Sequence, residues 1–356
     1  MKKVIVNKEK NISSDILIFF LILPIIVALS FQLGFRDPSF GADFQGYLNF
    51  YLEIAQYQHP LKPGEYGFFF LSLLGNWAGI SANCFFAILS LFQFLLTFLM
   101  FKKLSTILFV SNIQQKTFLY VALATTIFSP FFWSGLTNVI RHALAVPFVV
   151  LSLCYFLNSQ YAKSLLLLTL ATMFHRTSIV FGFIGIIFLK SGSFSWKVFL
   201  LAIIFYVTKF TDNFMMILEG FTKIPVYSLV MEYGRGSGYK AGFRFDFLLF
   251  TLFPLFFAYF LKHMLRIASK KQETDTFAGL TALLSLYASL VTPFLLFGYA
   301  AYSNRWLFTA WALLPAFPAY FAALFVNKRS LIPFFCVILF IFSYLFTVIV
   351  FPKPWF

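Results

Sequence analysis

Residues 83–101 read N-C-F-F-A-I-L-S-L-F-Q-F-L-L-T-F-L-M-F, and this run decides the class of fold. It contains no charged residue, and its length matches the ~20 apolar residues that a helix needs to cross a bilayer. Similar runs recur along the chain, which is 61% hydrophobic, 11% charged and contains 55 Phe. Soluble domains carry about 25% charged residues. The sequence therefore predicts an all-α polytopic integral membrane protein, since lipid leaves no water to satisfy irregular backbone.

The apolar runs and the basic loops between them predict the topology. We expect about eleven crossings, with the N-terminus inside and the C-terminus outside, because loops rich in Lys and Arg stay cytoplasmic. The whole chain, residues 1–356, then forms a single transmembrane domain. Its two long outer loops are residues 36–66 and 211–244, where functional side chains tend to collect.

Two stretches fit this topology only as irregular segments. Residues 67–80 are too short to span the bilayer comfortably at about 1.5 Å per residue. Residues 165–189 are apolar but interrupted by F-H-R-T-S at 174–178, which predicts one broken or re-entrant helix of the kind that lines a cavity. A rival topology lets residues 67–80 cross the membrane and makes 165–189 one span.

A polar cluster lies between two apolar runs at residues 134–142, S-G-L-T-N-V-I-R-H. If this stretch is helical, Asn138, Arg141 and His142 share one face, because residues three and four apart are neighbours on a helix. Ionisable groups at membrane depth are costly and need a partner or a function. The predicted topology puts the cluster at the outer face, so these three residues are candidates for a functional site.

Arginine and lysine are distributed differently across the predicted topology. Most Lys residues fall inside, whereas six Arg residues fall outside or at the outer membrane face: Arg36, Arg141, Arg176, Arg235, Arg244 and Arg305. A guanidinium binds phosphate through two parallel hydrogen bonds, so arginines that converge on one face predict diphosphate binding. The alternative is that each Arg pairs with a carboxylate such as Asp37 or Asp246. The net charge of +15 does not indicate nucleic-acid binding, because no such motif is present.

Four short motifs resemble, in order and approximate spacing, those of the EpsG-like, Wzy-type polysaccharide polymerases. They are Gly41-Ala42-Asp43 with Tyr47 (similar to G-x-D-x-x-x-Y), Glu65-Tyr66-Gly67-Phe68 (E-P-G-F), Asn138-Val139-Ile140-Arg141-His142 (N-x-I-R-Q) and Phe174-His175-Arg176-Thr177-Ser178 (F-H-x-S). The likeness covers roughly residues 36–190. Tyr66 stands where the family pattern has proline, and His142 stands where it has glutamine.

The resemblance implies a metal-independent glycosyltransferase of the bacterial inner membrane. Such polymerases transfer a growing oligosaccharide from undecaprenyl diphosphate to the next lipid-linked repeat unit at the periplasmic face, in the synthesis of O-antigen, capsule or exopolysaccharide. The implied partners are undecaprenyl-diphosphate-linked oligosaccharides, the lipid bilayer, a chain-length regulator and a flippase. We expect no cofactor, no metal and no nucleic-acid partner.

Glycosyl transfer assigns expected roles to the candidate residues. Arg141 and Arg176 are expected to neutralise the leaving diphosphate, while His175, Asp43 and His142 compete as general base. The expected substrate-binding residues are Asn138, His142, Arg36, Tyr47, Glu65, Arg235, Arg244 and Arg305. Two other classes stay open: a transporter or flippase of lipid-linked sugars, which predicts inverted repeats, and a membrane acyltransferase, which also uses a His.

Overall fold

The computed structural model describes residues 12–39, 41, 43–57, 59–232, 242–268, 274–299 and 302–325. Arg235 and the last apolar run, residues 331–350, lie outside the described residues, so the predictions made for them stay predictions. Within the described ranges the chain forms α-helices and a 3₁₀ turn at Ile54–Gln56, without a β-strand.

The helices are, in chain order, α1 (Ile12–Gly34), α2 (Phe44–Leu52), α3 (Tyr66–Trp77), α4 (Ala82–Leu108), α5 (Asn112–Ile127), α6 (Pro130–Thr137), α7 (Ile140–Leu157), α8 (Tyr161–Phe174), α9 (Ser178–Ser191), α10 (Ser193–Val207), α11 (Phe210–Thr222), α12 (Val226–Glu232), α13 (Phe245–Ala268), α14 (Thr274–Phe297), α15 (Ser303–Trp311) and α16 (Ala316–Leu324).

In the part of the chain that the structure describes, four segments are long and apolar enough to cross a bilayer: Ala82–Leu108, Ile140–Leu157, Ala278–Phe297 and Ser303–Leu324. Two more qualify if each bent pair counts as one span, namely α5 with α6, bent by 62°, and α10 with α11, bent by 103°. The prediction of an all-α, multi-pass membrane protein is therefore confirmed. The count of about eleven crossings, which came from the charge pattern, stays a prediction.

Helix α7 lies at the centre of the described bundle. It packs against α4, α6, α8 and α9, while α14 packs against α9, α10 and α15. Most of α7 is buried, and Ser152 on it donates a hydrogen bond to the main-chain oxygen of Ser164 on α8 at 2.7 Å. Because its side chains are covered on nearly all sides, α7 is the rigid element that carries residues 140–142 into the polar site.

The two predicted outer loops contain more helix than the sequence suggested. Residues 36–66 include α2, and residues 211–244 include most of α11 and all of α12. These helices are short and carry Tyr, Gln, Asp and Glu among their apolar residues. A polar composition of this kind is typical of loops, which is why the sequence predicted loops here. The expectation that residues 67–80 form only a short element is confirmed, since α3 has 12 residues.

Candidate functional site

The polar cluster at residues 134–142 spans a junction between two helices. Helix α6 ends at Thr137, Asn138 follows as its C-cap with φ −115°, and α7 begins at Ile140. The prediction that Asn138 shares one helical face with Arg141 and His142 is therefore wrong. The physical reason is local, because Thr, Asn, Val and Ile in succession are poor helix formers and favour an interruption.

The segment before α2 packs directly against this junction. Gly41 has φ +111°, and a Cβ added there would lie 2.6 Å from the main-chain oxygen of Thr137 and 3.1 Å from Oδ1 of Asn138. Only glycine tolerates both the backbone angle and this close approach. The first motif is therefore fixed against the third, which brings Asp43 and Tyr47 to the start of α7.

Glu65 is the centre of the site. It is 2% exposed and accepts hydrogen bonds from three donors on two other elements. Its Oε2 pairs with Nη1 of Arg141, while its Oε1 lies 3.0 Å from Nδ1 of His175 and 3.2 Å from the main-chain nitrogen of Arg176. Nε of Arg141 also lies 3.4 Å from the Tyr47 hydroxyl. One carboxylate thus joins the second, third and fourth sequence motifs.

These contacts keep Glu65 ionised. Burial acts to raise its pKa, but the hydrogen bond from His175, the charge of Arg141 and the Arg176 N–H together hold the pKa of Glu65 below its ordinary value of 4.5. An ionised carboxylate only accepts hydrogen bonds, so Nδ1 of His175 is the donor. The Nε2 atom of His175 then carries the lone pair and can accept a proton.

His142 lies behind His175. The two imidazole rings stack with centroids 4.4 Å apart and an interplanar angle of 29°. Nε2 of His142 lies 3.1 Å from Oγ1 of Thr309, and the ring is 4% exposed. His142 thus supports the His175 ring, and its described polar contact is Thr309 on α15. Its ring is not turned to the open side of the site.

A second ion pair closes the site on the side of α15. Nη2 of Arg305 lies 3.3 Å from Oδ2 of Asp43, and the side chains remain 29% and 43% exposed. The Arg305 guanidinium also lies 4.6 Å from the centre of the Tyr302 ring. Residues 303–305 form the first turn of α15, which fixes the position of Arg305. Both members of the pair are therefore accessible to a ligand.

Two of the predicted arginine ligands have other contacts. Arg36 donates to the main-chain oxygens of Leu33 at 2.6 Å and Leu136 at 3.3 Å, where it ties the ends of α1 and α6 together. Arg244 forms a two-pronged ion pair with Asp246, as the carboxylate alternative proposed. These contacts account for both charges without a substrate, since helix C-termini and carboxylates each stabilise a cation.

The predicted role of Arg141 also changes. No acidic residue is near it in sequence, yet the structure pairs it with Glu65, 76 residues earlier. Arg176 contributes its main chain to Glu65, and its side chain is exposed. The guanidinium groups most open to a ligand at this site are therefore those of Arg176 and Arg305.

Thr309 is a site residue that the sequence did not indicate, because nothing distinguishes it from other Thr residues in apolar helices. In the described part of the chain, no group of three or more His, Cys, Asp or Glu side chains is arranged to hold a metal ion. The arrangement offers an imidazole oriented by a carboxylate, with the partly exposed Arg305 guanidinium on the side of α15 and an exposed Arg176 next to His175 in the sequence. Such a set can accept a proton and stabilise a developing anion.

Comparison with known proteins identifies one family. The model of the EpsG family matches residues 16–356, which is nearly the whole chain. The resemblance first seen in four motifs over residues 36–190 is thereby confirmed and extended. No curated protein and no solved structure matches this chain.

Proposed function

Because the chain belongs to the EpsG family, a Wzy-like polymerase family, we propose that it polymerises lipid-linked oligosaccharide repeat units. The donor is an oligosaccharide on undecaprenyl diphosphate, the acceptor is the next lipid-linked unit, and the reaction takes place at the periplasmic face of the inner membrane. The observation that carries the proposal is the Glu65–His175 pair, with the partly exposed Asp43–Arg305 pair on the side of α15 and the exposed Arg176 next to His175 in the sequence.

His175 is the proposed general base. The acceptor hydroxyl attacks the anomeric carbon of the donor, and its proton passes to Nε2 of His175. Glu65 accepts from Nδ1 and so fixes the ring orientation and the tautomer, at a distance of 3.0 Å. Arg141 donates to the other carboxylate oxygen of Glu65 and is itself held by the Tyr47 hydroxyl. The neutral His175 accepts one proton, and the resulting imidazolium is stabilised by the Glu65 carboxylate.

Arg176 and Arg305 are the proposed diphosphate ligands. As the bond between the anomeric carbon and the diphosphate oxygen breaks, its electron pair leaves with undecaprenyl diphosphate. Two guanidinium groups neutralise this charge where it develops. The Asp43–Arg305 pair is exposed and its contact is 3.3 Å long. When the substrate binds, Asp43 therefore either releases Arg305 or keeps this contact and also binds the acceptor sugar. Asn138, at the junction between α6 and α7, is the proposed donor to a sugar hydroxyl or a phosphate oxygen.

The test compares variants of the accessible arginines with a cation outside the site. Arg176→Gln and Arg305→Gln are expected to lower polymerisation about 10²–10³-fold, as loss of a charge-stabilising donor does. The readout is glycan length on the cell surface, where these variants leave single repeat units. The control is Lys62→Gln, at an exposed position in residues 36–66. Cells with this variant are expected to keep long glycan chains. Full-length polymer from both Arg variants, in folded protein, contradicts the proposal.

A further inference from the structure

Helix α11 carries an apolar face that the described residues cover only in part. Residues three, four and seven apart share a face of a helix, so Phe210, Phe214, Ile217 and Phe221 lie in one row. Phe205 of α10 packs against Phe210 and Phe214, which are 42% and 38% exposed, whereas Ile217 and Phe221 are 62% and 88% exposed. Two such side chains at the C-terminal end of the row require a non-aqueous environment.

The adjacent edge of α11 holds the helix against the bundle. Thr211 and Met215 are buried, and Oγ1 of Thr211 donates to the main-chain oxygen of Leu295 at 3.4 Å. Met215 packs with Tyr299, just after the end of α14. The helix is thus fixed by one side to the bundle, while its apolar face points away from it.

Charged residues mark the ends and the remaining side of α11. Lys209 and Lys223 flank it, and both adopt φ +59°, which starts and stops the helix sharply. Asp212 and Glu219 lie on the side opposite the apolar row, where Glu219 accepts a hydrogen bond from the main-chain nitrogen of Ser228 at 2.8 Å. An apolar row, an opposite acidic side and basic ends are the pattern of a helix at a water–lipid boundary.

The direction of α11 fits the same position. Its axis is turned by 103° from that of α10, an apolar helix of 15 residues. The two helices qualify as a membrane span only as a pair, and a bend of this size leaves α11 either re-entrant or along the membrane surface. The basic residues at both ends of α11 favour the surface. We propose that α11 lies flat in the bilayer interface, with Phe210, Phe214, Ile217 and Phe221 inserted about 5–10 Å into the boundary between headgroups and acyl chains.

This placement concerns the same end of the bundle as the polar site. Helix α11 contacts the end of α14 at Leu295 and Tyr299, and α15 with Arg305 begins a few residues later. The interfacial helix therefore fixes how far the Asp43–Arg305 pair stands from the membrane surface. The proposal itself depends only on the packing and exposure of α11, so it stands or fails independently of the proposed reaction.

The test measures depth in the membrane at single positions of the full-length protein in phosphatidylcholine–phosphatidylglycerol vesicles. Spin labels are attached to Ile217→Cys and Phe221→Cys after the three native cysteines are replaced by Ala. The control is Glu219→Cys, at a position on the side of α11 opposite the apolar row. We expect the ratio of oxygen to nickel-chelate collisions to be several-fold higher at 217 and 221 than at 219.

Three results overturn the proposal. Equal nickel access at all three positions places α11 in water. Protection of 217 and 221 from both reagents indicates that a protein surface, such as a second copy of the chain, covers the row. A depth at 221 near the bilayer centre indicates a re-entrant helix. If the cysteine-free protein does not fold, Phe221→Trp with brominated lipids gives the same depth information against the constant signal of the six native Trp residues.

Discussion

Replacing Glu65 by Gln tests the centre of the site most directly. The substitution keeps the shape of the side chain but removes its charge, which leaves the Arg141 guanidinium without its ion-pair partner. Breaking a buried ion pair from one side costs about 3–5 kcal/mol. Since Arg141 keeps 15% exposure and the contact with the Tyr47 hydroxyl, the lower end applies, about 3 kcal/mol. That is a change of roughly a hundredfold in the unfolding equilibrium.

The assay is the thermal unfolding midpoint of purified protein in detergent. At about 2 °C per kcal/mol, the value for large domains, the midpoint of Glu65→Gln should fall by about 6 °C. Glu53→Gln removes an exposed carboxylate from the same 36–66 segment and should leave the midpoint unchanged within about 1 °C. Polymer length should fall for Glu65→Gln but not for Glu53→Gln, because His175 loses the charged acceptor that orients it and stabilises its protonated form.

A double-mutant cycle separates the ion pair from a general loss of packing. Arg141→Gln alone should also destabilise, but the double variant should lose clearly less than the sum of the two single losses. The reason is that each single variant leaves one buried charge unpaired, whereas the double variant leaves none. Additivity within about 0.5 kcal/mol would refute the reasoning, because it would mean that Glu65 and Arg141 do not interact.

Two further results are expected. Gly41→Ala should destabilise the protein and abolish polymerisation, because its Cβ would lie 2.6 Å from the main-chain oxygen of Thr137 at φ +111°. Gly46→Ala, whose Cβ meets nothing within 4 Å, should be neutral or stabilising by up to about 1 kcal/mol. Equal effects of the two substitutions on the unfolding midpoint would contradict this. The pKa of Glu65 lies below 4.5, the ordinary pKa of a Glu side chain. The stability that its charge contributes should therefore persist as pH falls from about 7 to about 5 and be lost only below that pKa. A difference in unfolding midpoint between wild type and Glu65→Gln that shrinks near pH 6 would exclude this.

The class of fold was predictable because lipid imposes it. A run such as residues 83–101 has no alternative to a helix, and F-H-R-T-S inside residues 165–189 correctly predicted a break, which the structure shows between α8 and α9. The distribution of Arg and Lys along the sequence identified the outer arginines, but it does not show which carboxylate each arginine contacts. Arg244 pairs with its neighbour Asp246, while Arg141 pairs with Glu65 across 76 residues.

The remaining features depend on packing that local sequence does not encode. The close approach of Gly41 to Thr137 sets which motifs touch, and the contact of Thr309 with His142 exists only because α15 packs against α7. Helix α11 was read as loop because its apolar residues face lipid while Asp212 and Glu219 lie on the other side. In the linear sequence these acidic residues interrupt the apolar ones, and only the 3.6-residue period separates the two sides of the helix.

The neighbouring positions 141 and 142 have a consequence for how such a chain can evolve. They point about 100° apart on α7, one toward Glu65 and the other toward Thr309. Insertions in connections that contribute no side chain to the site change neither contact, so these connections tolerate changes in length. A deletion of one residue between 138 and 141 would instead turn Arg141 and His142 by about 100° relative to α6. Changes in length should therefore be disfavoured at that junction and in the connections that hold Glu65 and His175.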